Sequence, residues 1–205
     1  QIKAKWPLIR TEDLKGALYH QTDGYINPAD VTQAMAKGAR QHGAVIERKW
    51  QADEFHWNGS HWEVTCVKMV EKGGNLVPSD GSVVITAEHV VTASGNHAQT
   101  TARKLGIKIP AIPVEHQFIV MDQDPELVKF RAEGNVEHPV VRDADAQSYV
   151  REERGGWILG VYEKGAPAVF EYGVPESFRA DLFPLDLERI EEQYMAMIHR
   201  VPSCE

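Results

Sequence analysis

The sequence predicts a mixed α+β, α/β chain, with helix-and-strand units in its first half and an antiparallel sheet with flanking helices in its second. Three stretches predict it. Asn27-Pro28-Ala29-Asp30 opens a helix that leads into a strand-like run, Ala44–Glu47. Glu88–Leu105 reads as strand, glycine turn and helix. Pro113–Asp122 (PVEHQFIVMD) and Asp143–Glu163 (DADAQSYVREERGGWILGVYE) alternate as strands of one sheet, with a hairpin turn at Gly155-Gly156.

Taken in order, Thr11–Leu18 reads as a short helix, and Asp23-Gly24 as a turn. The next helix has an Asn27 cap, proline at its first position and Asp30 in its first turn. It should run to about His42, with Val31, Ala34, Met35, Gly38 and Ala39 inward, and stop at Gly43. Ala52–Trp57 and His61–Cys66, split by Asn58-Gly59-Ser60, form a hairpin signal. Lys68–Ser82 is polar and Gly-rich and reads as an exposed excursion, after which Val83–Thr86 completes a meander. Val90–Ala93 reads as a buried strand, Ser94-Gly95 as a tight turn, and Asn96–Leu105 as a helix. Pro125–Arg131 is a short helix and Pro139–Arg142 a strand leading into the Tyr149 strand. Gly165–Arg179 is a loop. Asp186–Arg200 is a helix whose Leu187, Ile190, Tyr194, Met197 and Val201 make a core-packing stripe.

Composition excludes several classes. At 205 residues with 42% hydrophobic and 25% charged content, the chain is long enough for one large or two smaller globular domains. A net charge of −8 argues against a nucleic-acid surface, though one local arginine still serves a small anion. No apolar run approaches the roughly 20 residues that span a bilayer. Cys66 and Cys204 give neither a disulfide framework nor zinc spacing, and His56 and His61 beside their turn lack a ligand partner set, so no metal is expected. The chain opens without methionine and reads as a piece of something longer.

Chemistry concentrates on the sheet candidates. His116 and Tyr149 bring an imidazole and a phenol to one sheet, where they can orient a polar substrate and move a proton. The competing reading makes both ordinary amphipathic residues with satisfied polar tips. The turn at Ser94-Gly95 is where an α/β sheet brings bare backbone to a cofactor, but neither GxGxxG nor GxxxxGK[ST] occurs.

The ordered motifs DGYINPADVTQAMAKGARQHGA, HVVTASGNHA, IPVEHQFIV, PVVRD and YVREERGGWILGVYE resemble the FAD-dependent amine oxidoreductases of the D-amino-acid-oxidase superfamily, in particular the dimethylglycine- and sarcosine-dehydrogenase-like members. The resemblance implies a partial Rossmann-like FAD-binding domain over 1–105, lacking its amino-terminal fingerprint. It implies an antiparallel-sheet substrate domain over 106–205, lacking a carboxy-terminal FAD-contacting segment. The chain is then the centre of a catalytic module, expected to be inactive alone. A folate-binding region, and with it tetrahydrofolate, belongs to many relatives beyond that module.

The same resemblance assigns roles. His116 and Tyr149 match the family's active-site pair near the flavin. Gly95, with Ser94, matches the backbone approach to the cofactor, and Ala52 a residue whose main chain meets the adenine. Arg142 and Arg151 on adjoining strands are candidates for a substrate carboxylate, with surface salt bridges as the competing reading. Phe118 replaces a common tyrosine, and Asn96-His97 a common Trp-Ala pair, which bears on the substrate more than on the reaction. The implied reaction is hydride transfer to flavin from a secondary or tertiary amine of the N-methylglycine type; the alternatives are another amine, decided around Phe118, Tyr149 and Phe170–Tyr172, or a non-catalytic folded fragment. The implied electron acceptor is oxygen or an electron-transfer flavoprotein, and the implied setting is soluble, in a bacterial cytoplasm or mitochondrial matrix. Unpaired strand edges invite a homo-oligomer.

Overall fold

A computed structural model describes residues 1–175, 178 and 181–204. Positions 176, 177 and 179 of the predicted loop lie outside the described residues. The architecture is mixed, with helices and two antiparallel sheets, and it divides into two compact units.

The first unit comprises Gln1–Asn27, Glu115–Pro167 and Phe183–Glu205. Its sheet contains β4 (Phe118–Gln123), β5 (Val141–Asp143), β6 (Ser148–Glu153) and β7 (Gly156–Val161) in the order β4-β7-β6-β5. Every pairing is antiparallel. The β6-β7 hairpin turns through Arg154 and Gly155, both at positive φ, and Gly156 has no room for a Cβ against the Asp122 carbonyl. Helix α4 (Pro125–Ala132) follows β4, capped by Asp124, whose carboxylate accepts from Glu126 N at 2.8 Å. Helix α5 (Leu187–Arg200) is capped by Asp186, which accepts from Arg189 N at 3.2 Å.

Period-two alternation gives this sheet one sealed face. Val150, Trp157 and Leu159 point into it, against Leu127 of α4 and Met197 and Val201 of α5 and its end. Trp6, from the segment that includes helix α1 (Ile2–Lys5), stacks on Trp157 with centroids 5.0 Å apart. Both indoles are satisfied, Trp157 Nε1 donating to Asp124 Oδ2 at 2.7 Å and Trp6 Nε1 to the Pro139 carbonyl at 2.6 Å. The predicted α5 stripe packs as expected at Ile190, Tyr194, Met197 and Val201, while Leu187 stays exposed.

The second unit comprises Pro28–Val114 and Ala168–Leu182. Helix α2 (Pro28–Gln41) begins at the predicted proline, and Gly43 beyond it sits at φ +89. It has no buried residue, so the predicted inward face of Ala34 and Met35 is uncovered. A three-stranded meander follows, β1 (Trp50–Trp57), β2 (Trp62–Lys72) and β3 (Asn75–Ala87). Helix α3 (Ala98–Lys104) follows a 3-10 turn at Gly95–His97.

Several expectations are corrected. Lys68–Ser82 is not an excursion but the far end of a hairpin, turning at Gly73-Gly74, because β2 and β3 pair beyond a bulge near Met69. Ala44–Glu47 and Val90–Ala93 are not strands: among the described residues neither finds a ladder partner, and Val45 and Val91 stand exposed. Thr11–Leu18 is not helical, whereas Ile2–Lys5 is. His116 lies in extended chain just before β4, not within its ladder.

Arg200, at the end of α5, ties the amino-terminal segment to the sheet. It donates to both Asp13 oxygens at 2.7 and 2.9 Å, to Asp143 Oδ2 at 2.9 Å and to the Arg10 carbonyl at 3.0 Å. These hydrogen bonds hold the Asp13 carboxyl down at about 2. A carboxylate depressed in the folded state stabilises fully above its unfolded titration range and ceases to do so as pH falls through its folded value. The contribution is therefore complete above about pH 4 and lost between about pH 4 and about pH 2. It is modest, since Asp13 is half exposed. Urea midpoints of the chain are expected to fall across that interval more steeply than those of Asp13→Asn; parallel declines would disprove the linkage.

Candidate functional site

The ladder pairs residue by residue across the first unit's sheet. Phe118 opposes Gly160, Gly160 opposes Tyr149, and Tyr149 opposes Arg142. Three predicted site residues on three different strands thus share one cross-strand row. Alternation puts that row on the face away from the Val150–Trp157–Leu159 core. Gly160 is the reason the row closes: the Tyr149 ring occupies the space a Cβ there would fill. The predicted hairpin positioned the tyrosine, and the glycine opposite lets it lie flat.

The neighbouring row adds an aromatic that sequence reasoning missed. Tyr162, two residues beyond Gly160, has its ring 5.6 Å from Tyr149 and 6.0 Å from His116, the latter edge-on at 75°. The Arg142 guanidinium stacks over Tyr162 at 5.1 Å. Among the described residues no carboxylate pairs with Arg142, so its donors remain available. The signal for Tyr162 was present, since it shares strand parity with Gly160. Partial burial, and then the neighbouring Tyr162, push the Tyr149 phenol above its ordinary titration range, so it stays a neutral donor.

His116 is held from the opposite direction. Its Nδ1 lies 3.0 Å from Glu163 Oε2, and Glu163 is buried with 2% of its side chain exposed. Arg189, in the first turn of α5, donates through Nε to Glu163 Oε1 at 3.1 Å and through Nη2 to Glu115 Oε1 at 2.6 Å. Glu163 and Arg189 were not singled out from sequence, because their partners are far away along the chain.

Arg151 stands on the same face, two residues past Tyr149. Its guanidinium is engaged by Glu153 at 2.6 Å and lies over the Tyr25 ring at 4.3 Å. Phe118 is 53% exposed, so the row has an apolar end at Phe118 and a cationic end at Arg142.

The residues matched to cofactor binding lie in the second unit. Gly95 has φ +54, and no heavy atom lies within 4 Å of where its Cβ would be. The Ser94 hydroxyl is within 2.6 Å of Thr92 and 2.9 Å of Thr101 of α3. Ala52 pairs with Cys66 beside a bulge at Asp53. That bulge hands the Asp53 carboxylate to Lys104 of α3 at 2.5 Å, tying β1 to the helix that follows Gly95. Phe170–Tyr172 also lies in this unit, where the Tyr172 carbonyl accepts from Arg103 at 2.7 Å.

Comparison with known proteins gives a consistent picture. The family described as FAD dependent oxidoreductase (DAO) matches residues 1–204. The mitochondrial dimethylglycine dehydrogenase of Rattus norvegicus is 32% identical over 208 residues, covering 98% of this chain and 22% of that protein. The mitochondrial sarcosine dehydrogenase of Homo sapiens is 30% identical over 213 residues, covering 100% of this chain and 20% of that protein. The formaldehyde-forming 4-methylaminobutanoate oxidase of Paenarthrobacter nicotinovorans is 30% identical over 187 residues, covering 90% of this chain and 20% of that protein. The chain spans about a fifth of the length of the curated relatives it matches.

Gly160→Ala tests the row. A methyl inside the Tyr149 ring forces the ring off the strand, and overpacking of this kind costs about 1–3 kcal/mol. The expected result is a lower unfolding midpoint that Tyr149→Ala in the same background largely restores. A Gly160→Ala chain with unchanged stability would show that the ring does not lie there.

Proposed function

Because this chain belongs to the FAD-dependent oxidoreductase family, we propose that it carries the substrate face of an enzyme that oxidises a secondary or tertiary amine of the N-methylglycine type. The observation that supports this reading most is the single cross-strand row of Phe118, Tyr149 and Arg142, with the Tyr162 ring against Tyr149 and His116 edge-on to Tyr162. Such a row has one end suited to methyl groups, one to a carboxylate, and an imidazole beside them.

The family's cofactor is FAD, and the uncovered backbone of Gly95, at φ +54, leaves room for it in the second unit. Gly95 and Ala52 would meet the cofactor through main chain, since the Ser94 hydroxyl is engaged by Thr92 and Thr101. On this proposal the second unit supplies part of a Rossmann-like cofactor domain. When bound, FAD supplies the redox chemistry by accepting hydride.

The chain's own residues prepare the substrate. An ammonium nitrogen has no lone pair, so it must lose a proton before the adjacent carbon is oxidised. His116 accepts that proton at its imidazole. Tyr149 donates its phenolic hydrogen to hold the substrate, and its raised titration range keeps that hydrogen in place. Arg142 pairs with the carboxylate through a planar fork of donors. The π faces of Tyr149 and Tyr162 favour a methylated cation before its proton departs. Dimethylglycine and sarcosine carry a methylated amine and a carboxylate.

In the full-length enzyme, His116→Ala is expected to lower kcat/KM on dimethylglycine or sarcosine about 100-fold or more, while bound FAD stays the same. Unchanged turnover would remove His116 from the reaction. Arg142→Ala is expected to raise KM about tenfold or more with a smaller change in kcat, the loss of a charge-assisted pair. An unaltered KM would assign the carboxylate to another residue. A spectrum of the flavin-loaded enzyme under anaerobic conditions separates substrates: bleaching by either amine supports the class, and flavin left oxidised by both refutes it.

A further inference from the structure

We propose that Glu163 is a positioning residue that fixes the tautomer of His116, and that Arg189 of α5 fixes Glu163 in turn. The inference rests on the role given to His116 above, but its test does not. Arg189 offers only donors, and its Nε donates to Glu163 Oε1 at 3.1 Å. The remaining oxygen, Oε2, lies 3.0 Å from His116 Nδ1. A buried carboxylate so placed accepts from both sides. Nδ1 therefore carries the hydrogen, and the lone pair of neutral His116 sits on Nε2.

The geometry around the pair makes the arrangement stiff. Glu163 has 2% of its side chain exposed and Arg189 17%, so neither swings freely into water. Arg189 is also anchored by Glu115 at 2.6 Å, and by Asp186 at 3.6 Å, one helical turn away. Both its hydrogen bond to Glu115 and the surrounding carboxylates keep its guanidinium charged. The Tyr162 ring meets His116 edge-on at 6.0 Å. Free imidazole side chains favour the hydrogen on Nε2, so the structure demands the less common tautomer. That tautomer is the one able to take a proton at Nε2, the nitrogen that Glu163 leaves unbound.

The same geometry predicts an inversion. In Glu163→Gln the amide oxygen stays with Arg189, because Arg189 offers only donors. The amide nitrogen then replaces Oε2 and donates toward His116 Nδ1. Nδ1 becomes the acceptor, and the imidazole hydrogen moves to Nε2.

Ring-nitrogen NMR on the 205-residue chain, labelled with nitrogen-15 and held above the histidine titration range, reads this directly. The unmutated chain is expected to show His116 as the Nδ1–H tautomer, and Glu163→Gln to show it as Nε2–H. His138, whose Nδ1 lies 2.5 Å from Glu152, is the internal control and should stay unchanged in both chains. His116 as Nε2–H in the unmutated chain would overturn the proposal, and so would a folded Glu163→Gln chain that keeps Nδ1–H. Should Glu163→Gln fail to fold, the unmutated spectrum alone decides. In the full-length enzyme, Glu163→Gln is expected to lower kcat about tenfold or more with a smaller change in KM. A correct tautomer beside unaffected turnover in His116→Ala would sink the catalytic role of His116 and leave the positioning role of Glu163 standing.

Discussion

The pairing of Tyr149 with Gly160 sets the rest of the first unit's open face. A strand pair brings opposed side chains within reach of each other, so a ring on one strand needs a partner that yields space. With no Cβ at Gly160, Tyr149 lies across β7 instead of standing off it. Phe118 and Arg142 then occupy the ends of the same row, and Tyr162 in the next row comes within ring contact of Tyr149. Any larger residue at position 160 would break the row into separate side chains. The opposite face cannot shift to compensate, because Trp157, Val150 and Leu159 are sealed against Trp6 and α5.

Helix α5 is the second organising element, and its two arginines do different work. Arg189 stands in the first turn, where a cation opposes the helix dipole. Three carboxylates, Glu115, Glu163 and Asp186, surround it and offset that cost. Arg200 stands in the last turn, where the dipole favours it, and gathers Asp13 and Asp143. Eleven residues, close to three helical turns, separate the two, so both point to the same side of the helix. One holds the end of the sheet beside His116. The other fastens the amino-terminal segment and the edge strand β5.

How far the sequence could be read depended on whether an element's partners were local. The β6-β7 hairpin was legible because Arg154-Gly155-Gly156 and the flanking alternation specify it within a dozen residues. Helix α2 was legible from its start, Pro28 behind Asn27, and helix α5 from its apolar stripe. Val90–Ala93 and Ala44–Glu47 misled because an apolar run becomes a strand only when another strand accepts its hydrogen bonds. Pro78 and Gly81 disguised β3, where a bulge absorbs the irregularity that composition took for a loop. Within the site, His116, Tyr149, Phe118 and Arg142 were nameable by type and motif, but their common row follows from register. Glu163 ended a motif whose attention went to its aromatics, and nothing local marks a glutamate that will be buried by an arginine 26 residues later.

Phe118 shows how register turns a departure in sequence into a statement about chemistry. A tyrosine there would add a third hydroxyl to a face that already carries the phenols of Tyr149 and Tyr162. Phenylalanine instead leaves the β4 end of the row without a polar group, next to Val120 on the same exposed side of that strand. Along the row, hydrocarbon stands at the β4 end and Arg142 at the β5 end, with Tyr149 between them. On the function proposed above, the apolar end would face the methylated amine, and Arg142 would reach the carboxylate through its long side chain, which already extends to the Tyr162 ring. A polar substrate group seated on Phe118 would find no hydrogen-bond partner in that side chain.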